Sequence, residues 1–445
     1  MEREGEEQWP LPGNDCHPDP RLIAPRFFHT VGGQGRSTTG GVVGACWSRA
    51  RTVLVAGLAL TVIASAGCGS DSASATAPTV DLTRLDTGSY ATKPQQLEPK
   101  DANRMGRIME ALRLGDAVPL PKDVDPALTH NLGGVHPFID AKAFGTKSVF
   151  ASFSAEDFTA SASGLVAGFG TAAGSNEDTR GLGYQLRHAV MIFESDAAAS
   201  AAAVALAGME FDKEKADPTA SFVHPGAHVV WIPKYQALAS WYATGRFVIS
   251  DVVHHNENMA LDNSDLPALL AVSDKAISIT VDRLKSFQPT PVDKLTELPF
   301  DPQGLLRLAL LRPDGDQTAF GMLGTLNRQT ALHLADDPDK ERELFDKTGV
   351  DYIGYGAGKL VRTRDAEAAQ KYVGEVAFGR FVHRIDSPPG LPTARCVKYQ
   401  GPETFQFPYL CYVTHGRYAV EMWSQQQQDV YQRISAQYAI LANDK

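Results

Sequence analysis

Cys396 and Cys411 are the residues whose type and spacing point most directly to a covalent event. Both fall in stretches that read as β-strands, with a loop holding Gly401 and Pro402 between them. Two thiols so placed form a disulfide in an oxidising compartment and otherwise remain two buried free thiols. A cross-link closing a loop of this length would contribute about 3 kcal/mol by restricting the unfolded chain. His254, His255 and Glu257 are metal-ligand types, but a zinc-protease helix needs two histidines four positions apart. Adjacent residues at a strand end point to opposite faces, so polar loop positions are the expectation there. Gly354-Tyr-Gly-Ala-Gly-Lys359 faintly resembles a phosphate loop, yet Ile353 and Leu360 stand where that motif needs Gly and Ser or Thr. A turn is the simpler reading, and Gly168-Phe-Gly170 gives no stronger signal. Ser161 and Ser163 lack the Gly-x-Ser-x-Gly framing of a nucleophile elbow. Asp336, Asp337, Asp339 and Glu341 lack EF-hand spacing and read as a solvated helix start, with acids near the N-terminal dipole. No catalytic, metal-binding or cofactor-binding residue is expected.

The elements that hold these residues repeat. His188 to Phe193 reads as a strand, and Ser195 or Asp196 caps an Ala-rich helix running to about Gly208. His228 to Ile232 is a second strand, and Ala237 to Val253 a hairpin turning at Thr244-Gly245. Ser264 or Asp265, with Pro267, then starts a long amphipathic helix. The same order returns from Lys359 to the C-terminus, with Asp365 as cap, a hairpin turning at His415-Gly416 and a final helix lined by Val430, Ile434, Tyr438 and Leu441. The shared Gly-Arg-aromatic turn makes Arg246 and Arg417 equivalent: a turn-stabilising pair first, a paired anion site second. The predicted fold class is α+β, two related β-α-β-β-α units with helices on one face of small antiparallel sheets. An N-terminal domain would span 81–290 and a C-terminal domain 296–445. Ahead of the repeat, Asp101 caps and Gly115 ends a helix over Met105, Ile108, Met109 and Leu112, and 116–146 reads as loop.

Upstream lies a targeting pattern. Arg49 and Arg51 precede the apolar run Thr52 to Ile63, and Ala66-Gly67-Cys68 follows. The apolar run falls short of the about 20 residues that span a bilayer. Residues 49–67 therefore read as a lipoprotein signal peptide, 69–80 as a flexible linker and 1–48 as a non-globular extension, with a possible mis-assigned start. The cysteine context resembles the bacterial lipobox, whose thiol receives a diacylglycerol and whose new N-terminus is acylated. Ser65 departs from the aliphatic residue usual there. Lipidation at Cys68 would place the body on the extracytoplasmic face of the cell membrane. Cleavage there removes Cys16 and Cys46, leaving one lipid site and one pair, Cys396 and Cys411.

Val80-Asp-Leu-Thr-Arg-Leu-Asp-Thr-Gly-Ser-Tyr90, Gly349-Val-Asp351, Arg364-Asp-Ala366, the Cys396/Cys411 pair and Ala436-Gln-Tyr-Ala-Ile-Leu441 carry a family resemblance. From about Val80 to the C-terminus the chain resembles a set of uncharacterised actinobacterial lipoproteins described by a two-part domain of unknown function (DUF7373-like). The resemblance implies export, a two-part α+β body and a C-terminal disulfide, and it brings no catalytic residue. Composition agrees with a folded body: 43% of residues are hydrophobic and 21% charged, with a net charge of -10. An acidic balance without a basic run disfavours nucleic acid as partner. The expected function is a non-enzymatic module binding an envelope lipid, small molecule or protein; the alternative is an envelope hydrolase with an unrecognised site.

Overall fold

The computed structural model describes residues 80–133, 136–141, 154–176, 182–209, 217–219, 221, 223–312, 324–377, 379–402 and 406–444. No helix among these residues is long and apolar enough to cross a membrane. The N-terminal half begins with α1 (Ala102–Leu114), α2 (Pro121–Val124), β1 (His130–Asn131), β2 (His136–Phe138) and α3 (Ala155–Ser161). A hairpin of β3 (Leu165–Gly174) and β4 (Tyr184–Phe193) leads into α4 (Asp196–Ala207). A meander follows, β5 (Asp217–Thr219), β6 (His228–Ile232), β7 (Ala237–Thr244) and β8 (Phe247–His255), closed by α5 (Asn256–Ala260) and α6 (Leu266–Leu284).

The C-terminal half runs through the same sequence of elements. β9 (Gly324–Asn327), α7 (Arg328–Leu332) and α8 (Pro338–Thr348) precede a hairpin of β10 (Tyr352–Tyr355) and β11 (Lys359–Arg362). After α9 (Ala366–Val376) come β12 (Val382–Ile385), β13 (Arg395–Tyr399), β14 (Tyr409–His415), β15 (Tyr418–Ser424) and α10 (Gln427–Ala442).

The first sheet has the order β1-β3-β4-β8-β7-β6-β5, with β2 also on β3; the second has β9-β10-β11-β15-β14-β13-β12 when counted from the matching edge. Strand for strand the two orders coincide. All pairings in both sheets are antiparallel. In each, a helix carries the chain to the far edge and the meander walks back until its last strand pairs with the strand before the helix. Registers agree too: Ala189 pairs with Ser250 and Ser250 with Trp241, as Lys359 pairs with Glu421 and Glu421 with Tyr412. The α+β class and the duplicated unit follow directly.

Two features exceed the expected order. Each sheet carries more strands than expected: β1, β2, β3 and β5 join the first and β9, β10 and β12 the second, and β1, β2 and α2 lie within the 116–146 stretch expected to be loop. β3 reads Leu-Val-Ala-Gly-Phe-Gly-Thr-Ala-Ala-Gly and is buried along nearly its whole length, so no polar alternation marks it. Its small residues have a packing reason: a Cβ on Gly168 would lie 2.2 Å from the Phe138 ring of β2. Helices also cover both faces of each sheet, not one. α3 and α4 pack on one face of the first sheet and α1 and α6 on the other. α8 and α9 cover one face of the second, α10 and the Leu305–Leu310 segment the other.

Local signals explain the helix starts. Ser195, Asp265 and Asp365 each accept a hydrogen bond from the backbone N–H three residues on, at 3.1, 3.2 and 2.8 Å. Asp101 does the same for α1, and Gly115 follows its last turn. α1 is shared between the halves: Ala111 and Leu114 face the first core while Met109 and Leu112 face the second. The lead-in also crosses over. Val80, Leu85 and Tyr90 pack against the second core, and the Tyr90 hydroxyl donates to Asp429 at 2.6 Å.

Candidate functional site

Because the two sheets share one register, equivalent positions can be compared directly. On the face under α4, the first sheet places Ala189, Ser250 and Trp241 in a row, with Ala202 of α4 above it. The matching row in the second sheet is Lys359, Glu421 and Tyr412, under Tyr372 of α9. Lys359 is buried beside Glu341 of α8, with Nζ 3.1 Å from Oε1. Tyr412 donates to Glu421 at 3.3 Å, and the Lys359 ammonium lies 5.7 Å from the centre of the Tyr372 ring. Burial opposes the charge on Lys359, but Glu341 and the surrounding Tyr372, Tyr355 and Glu421 outweigh it and hold the ammonium well above the usual lysine range. Burial pushes Tyr355 up to about 12 and Tyr412 well above its ordinary value, with Glu421 adding to the second. Glu341 therefore departs from the solvated helix start expected of it. Asp337 keeps that role and caps α8 through the Lys340 N–H.

The opposite face shows the reverse exchange. In the first sheet, His188 Nδ1 lies 2.6 Å from Asp251, Ser273 donates to the other Asp251 oxygen at 3.0 Å, and Thr280 Oγ1 is 3.0 Å from His188 Nε2. A hydroxyl, an imidazole and a carboxylate in line is the arrangement of a hydrolytic triad. Here it cannot meet a substrate, since His188, Asp251 and Thr280 are each 0% exposed. The Thr280 proton is also committed, to the Ala276 carbonyl at 2.7 Å. The corresponding row in the second sheet is apolar, with Gly358 and Met422 in place of His188 and Asp251. Next along that row, Cys411 and Cys396 are directly opposite each other on β14 and β13, with Cα atoms 4.1 Å apart and their sulfurs at disulfide distance. The cross-link restrains a loop of about 15 residues and contributes about 3 kcal/mol in the chain-entropy account.

The remaining sequence candidates resolve individually. Arg246 Nε donates to the Phe193 carbonyl at 2.9 Å, and Arg417 Nε to the Thr363 carbonyl at 2.7 Å. The return bonds are equally matched, Phe193 N–H to Arg246 and Thr363 N–H to Arg417. Each arginine thus ties its hairpin turn to the end of the strand before the crossover helix, within its own sheet. The glycines ahead of them, Gly245 and Gly416, have φ of 54° and 51°, the left-handed first position of a two-residue turn. His255 accepts from the Asn258 N–H and caps α5, while burial and the nearby Arg187 lower His254 to about 4. Among the described residues no group of His, Cys, Asp and Glu could hold a metal ion. Gly356 and Gly358 form the turn between β10 and β11, where a Cβ on either would strike backbone oxygen at 2.4 Å. Cys16, Cys46 and Cys68 lie outside the described residues.

Sequence reasoning missed the junction between the halves. Phe169 of β3 packs edge-on against His333 at 5.2 Å, and Asn131 donates to the His333 and Ala335 carbonyls. A cavity of about 20 Å³ lies there among His333, Asn131, Thr129 and Lys122, with apolar neighbours. It has room for about one water. Burial lowers His333 to about 4, with the Gly115 and Val118 carbonyls close by but outside good hydrogen-bond geometry.

The N-terminal part of a domain of unknown function (DUF7373) matches residues 97–300, and its C-terminal part matches residues 305–444. The chain belongs to the DUF7373 family. The boundary between the two DUF7373 parts falls between α6 and β9, where one sheet gives way to the other. No curated protein and no solved structure matches this DUF7373 chain.

Proposed function

We propose that this DUF7373 protein is a lipoprotein held by lipid on Cys68 at the extracytoplasmic face of the cell membrane, and that its body is a non-catalytic binding module. The observation that carries the tether is the basic, apolar, Ala66-Gly67-Cys68 run ending twelve residues before Val80, the first described residue. The cysteine pair in the second sheet fits the oxidising compartment that export would provide. Binding is favoured over hydrolysis by the enclosure of Thr280, His188 and Asp251 behind α6.

One surface suits a partner. Tyr235 is 41% exposed beside α5, which bears Met259 at 44%, and Leu261 follows at 68%. Gln236 and Asp262, next to these residues, hold φ of 43° and 50°, which non-glycine residues adopt at a cost of order 1–3 kcal/mol. A strained corner that presents large apolar side chains is a recognition feature more than a packing one.

Both parts are testable in the native envelope. Cys68→Ala is expected to move the protein from the membrane fraction to the soluble fraction; retention of the variant in the membrane would refute the tether. Cross-linking in intact cells, followed by mass spectrometry, is expected to give adducts that disappear with Met259→Asp combined with Leu261→Asp. Identical adducts from wild type and variant would remove that corner from consideration.

A further inference from the structure

The buried lysine in the second sheet is unexplained by folding alone. The first sheet fills the same layer with Ala189, Ser250, Trp241 and Ala202, so this architecture packs without ions there. A buried ion pair is poor support for stability, because removing both charges from water offsets their attraction. Yet Lys359, Glu341 and Glu421 are 7%, 5% and 3% exposed, enclosed by Tyr355, Tyr372 and Tyr412. An amine, a carboxyl group against it and a second carboxyl group across the strand are the components of amide formation.

The geometry points to an intramolecular isopeptide bond between Lys359 Nζ and Glu341 Cδ, with Glu421 as the proton carrier. Nζ lies 3.1 Å from a Glu341 oxygen, so the reacting groups are already in contact, and 18 residues separate them in the chain. Fixed contact of this kind replaces a bimolecular encounter. Glu421, directly opposite Lys359 on β15, takes a proton from the ammonium. The neutral nitrogen adds to Cδ, forming the N–C bond. Glu421 returns that proton to one Glu341 oxygen and relays a second proton from the nitrogen to the same oxygen, the C–O bond breaks and one water leaves. Ammonium plus carboxylate becomes amide plus water, with no oxidant, reductant or activating group required. Two buried charges disappear, which removes the desolvation cost that the ion pair carries. The product fastens α8 to β11 at the centre of the second core. The Tyr412 hydroxyl, 3.3 Å from Glu421, keeps the carrier oriented toward the pair.

The bond is independent of the lipid tether and is read from the full-length protein extracted from its own membrane. After denaturation and reduction, a chymotryptic map is expected to contain a branched peptide joining the Glu341 and Lys359 segments, lighter than their sum by one water. Lys359 should also resist amine-reactive labelling in the unfolded protein. Two linear peptides carrying a labelled Lys359 would overturn the proposal, and this measurement needs no variant. Glu421→Gln keeps size and hydrogen bonding but cannot carry the proton, so it should accumulate the linear form while circular dichroism remains unchanged. A fully branched Glu421→Gln protein would overturn the role of Glu421.

Discussion

Asp251→Ala is expected to destabilise the protein by about 2–4 kcal/mol, the cost of leaving two buried polar groups without their partner. The reason lies in how His188 is held. Thr280 Oγ1 lies 2.7 Å from the Ala276 carbonyl and 3.0 Å from His188 Nε2. Asp251 accepts at Nδ1 from the other side, at 2.6 Å. The imidazole is therefore held at both ring nitrogens inside a region with no solvent exposure. Removing the carboxylate strips both the ring Nδ1 and the Ser273 hydroxyl of their partner. Urea unfolding should show the lower midpoint with an unchanged slope. A loss below about 1 kcal/mol would mean that Asp251 does not hold His188 and Ser273 in place. The second sheet supplies the complementary experiment. Its matching positions are Gly358 and Met422, so replacing His188, Asp251, Ser273 and Thr280 together by apolar residues of similar volume should recover most of the loss. The expected contrast is a costly single change and a mild quadruple one.

Gly106→Ala should cost about 3 kcal/mol, the upper end of overpacking, and should loosen both halves at once. A Cβ at Gly106 would stand 1.9 Å from the Leu295 carbonyl oxygen. That atom is backbone and cannot rotate away, so α1 must lift from the Val292–Glu297 turn. Helix propensity pulls the other way, since Ala is favoured over Gly in a helix by about 1 kcal/mol. The steric term dominates because the obstacle is rigid. α1 contributes Ala111 and Leu114 to the first core and Met109 and Leu112 to the second, so its displacement is felt on both sides. Arg107 adds to the coupling by donating to the Val166 and Leu165 carbonyls of β3 at 2.7 and 2.9 Å. Hydrogen exchange is the informative measurement: protection should fall in β3 and in β9 together. Loss confined to the first sheet would show that α1 does not join the two cores.

Much of the fold was legible because it is written in local signals. The caps Asp101, Ser195, Asp265 and Asp365 act on the N–H groups three residues on, so a single short window contains the whole interaction. The Gly245-Arg246 and Gly416-Arg417 turns are equally local, and they exposed the duplication. β3 and β10 were not legible, because strands buried on both faces or rich in small residues lack the alternation that identifies a half-exposed strand. The role of Glu341 was hidden for a different reason. Its acidic neighbours Asp337 and Asp339 suggested solvent, and only the approach of α8 to β11 sets it against Lys359.

The cysteines show where that division falls. Spacing and strand pattern brought Cys396 and Cys411 to adjacent strands, and the register of β13 with β14 put them opposite each other. The same sequence brought Arg246 and Arg417 to equivalent turns, but their carbonyl partners come from strands more than fifty positions away. Composition, caps and turns thus determined the class, the duplication and the helix starts, because each depends on neighbours in the chain. Which sheet face carries His188 with Asp251, which carries Lys359 with its two glutamates, and that both are sealed from solvent were decided by tertiary packing. Burial depends on segments that meet only after the meander has closed, and no local window contains both sides of such a contact.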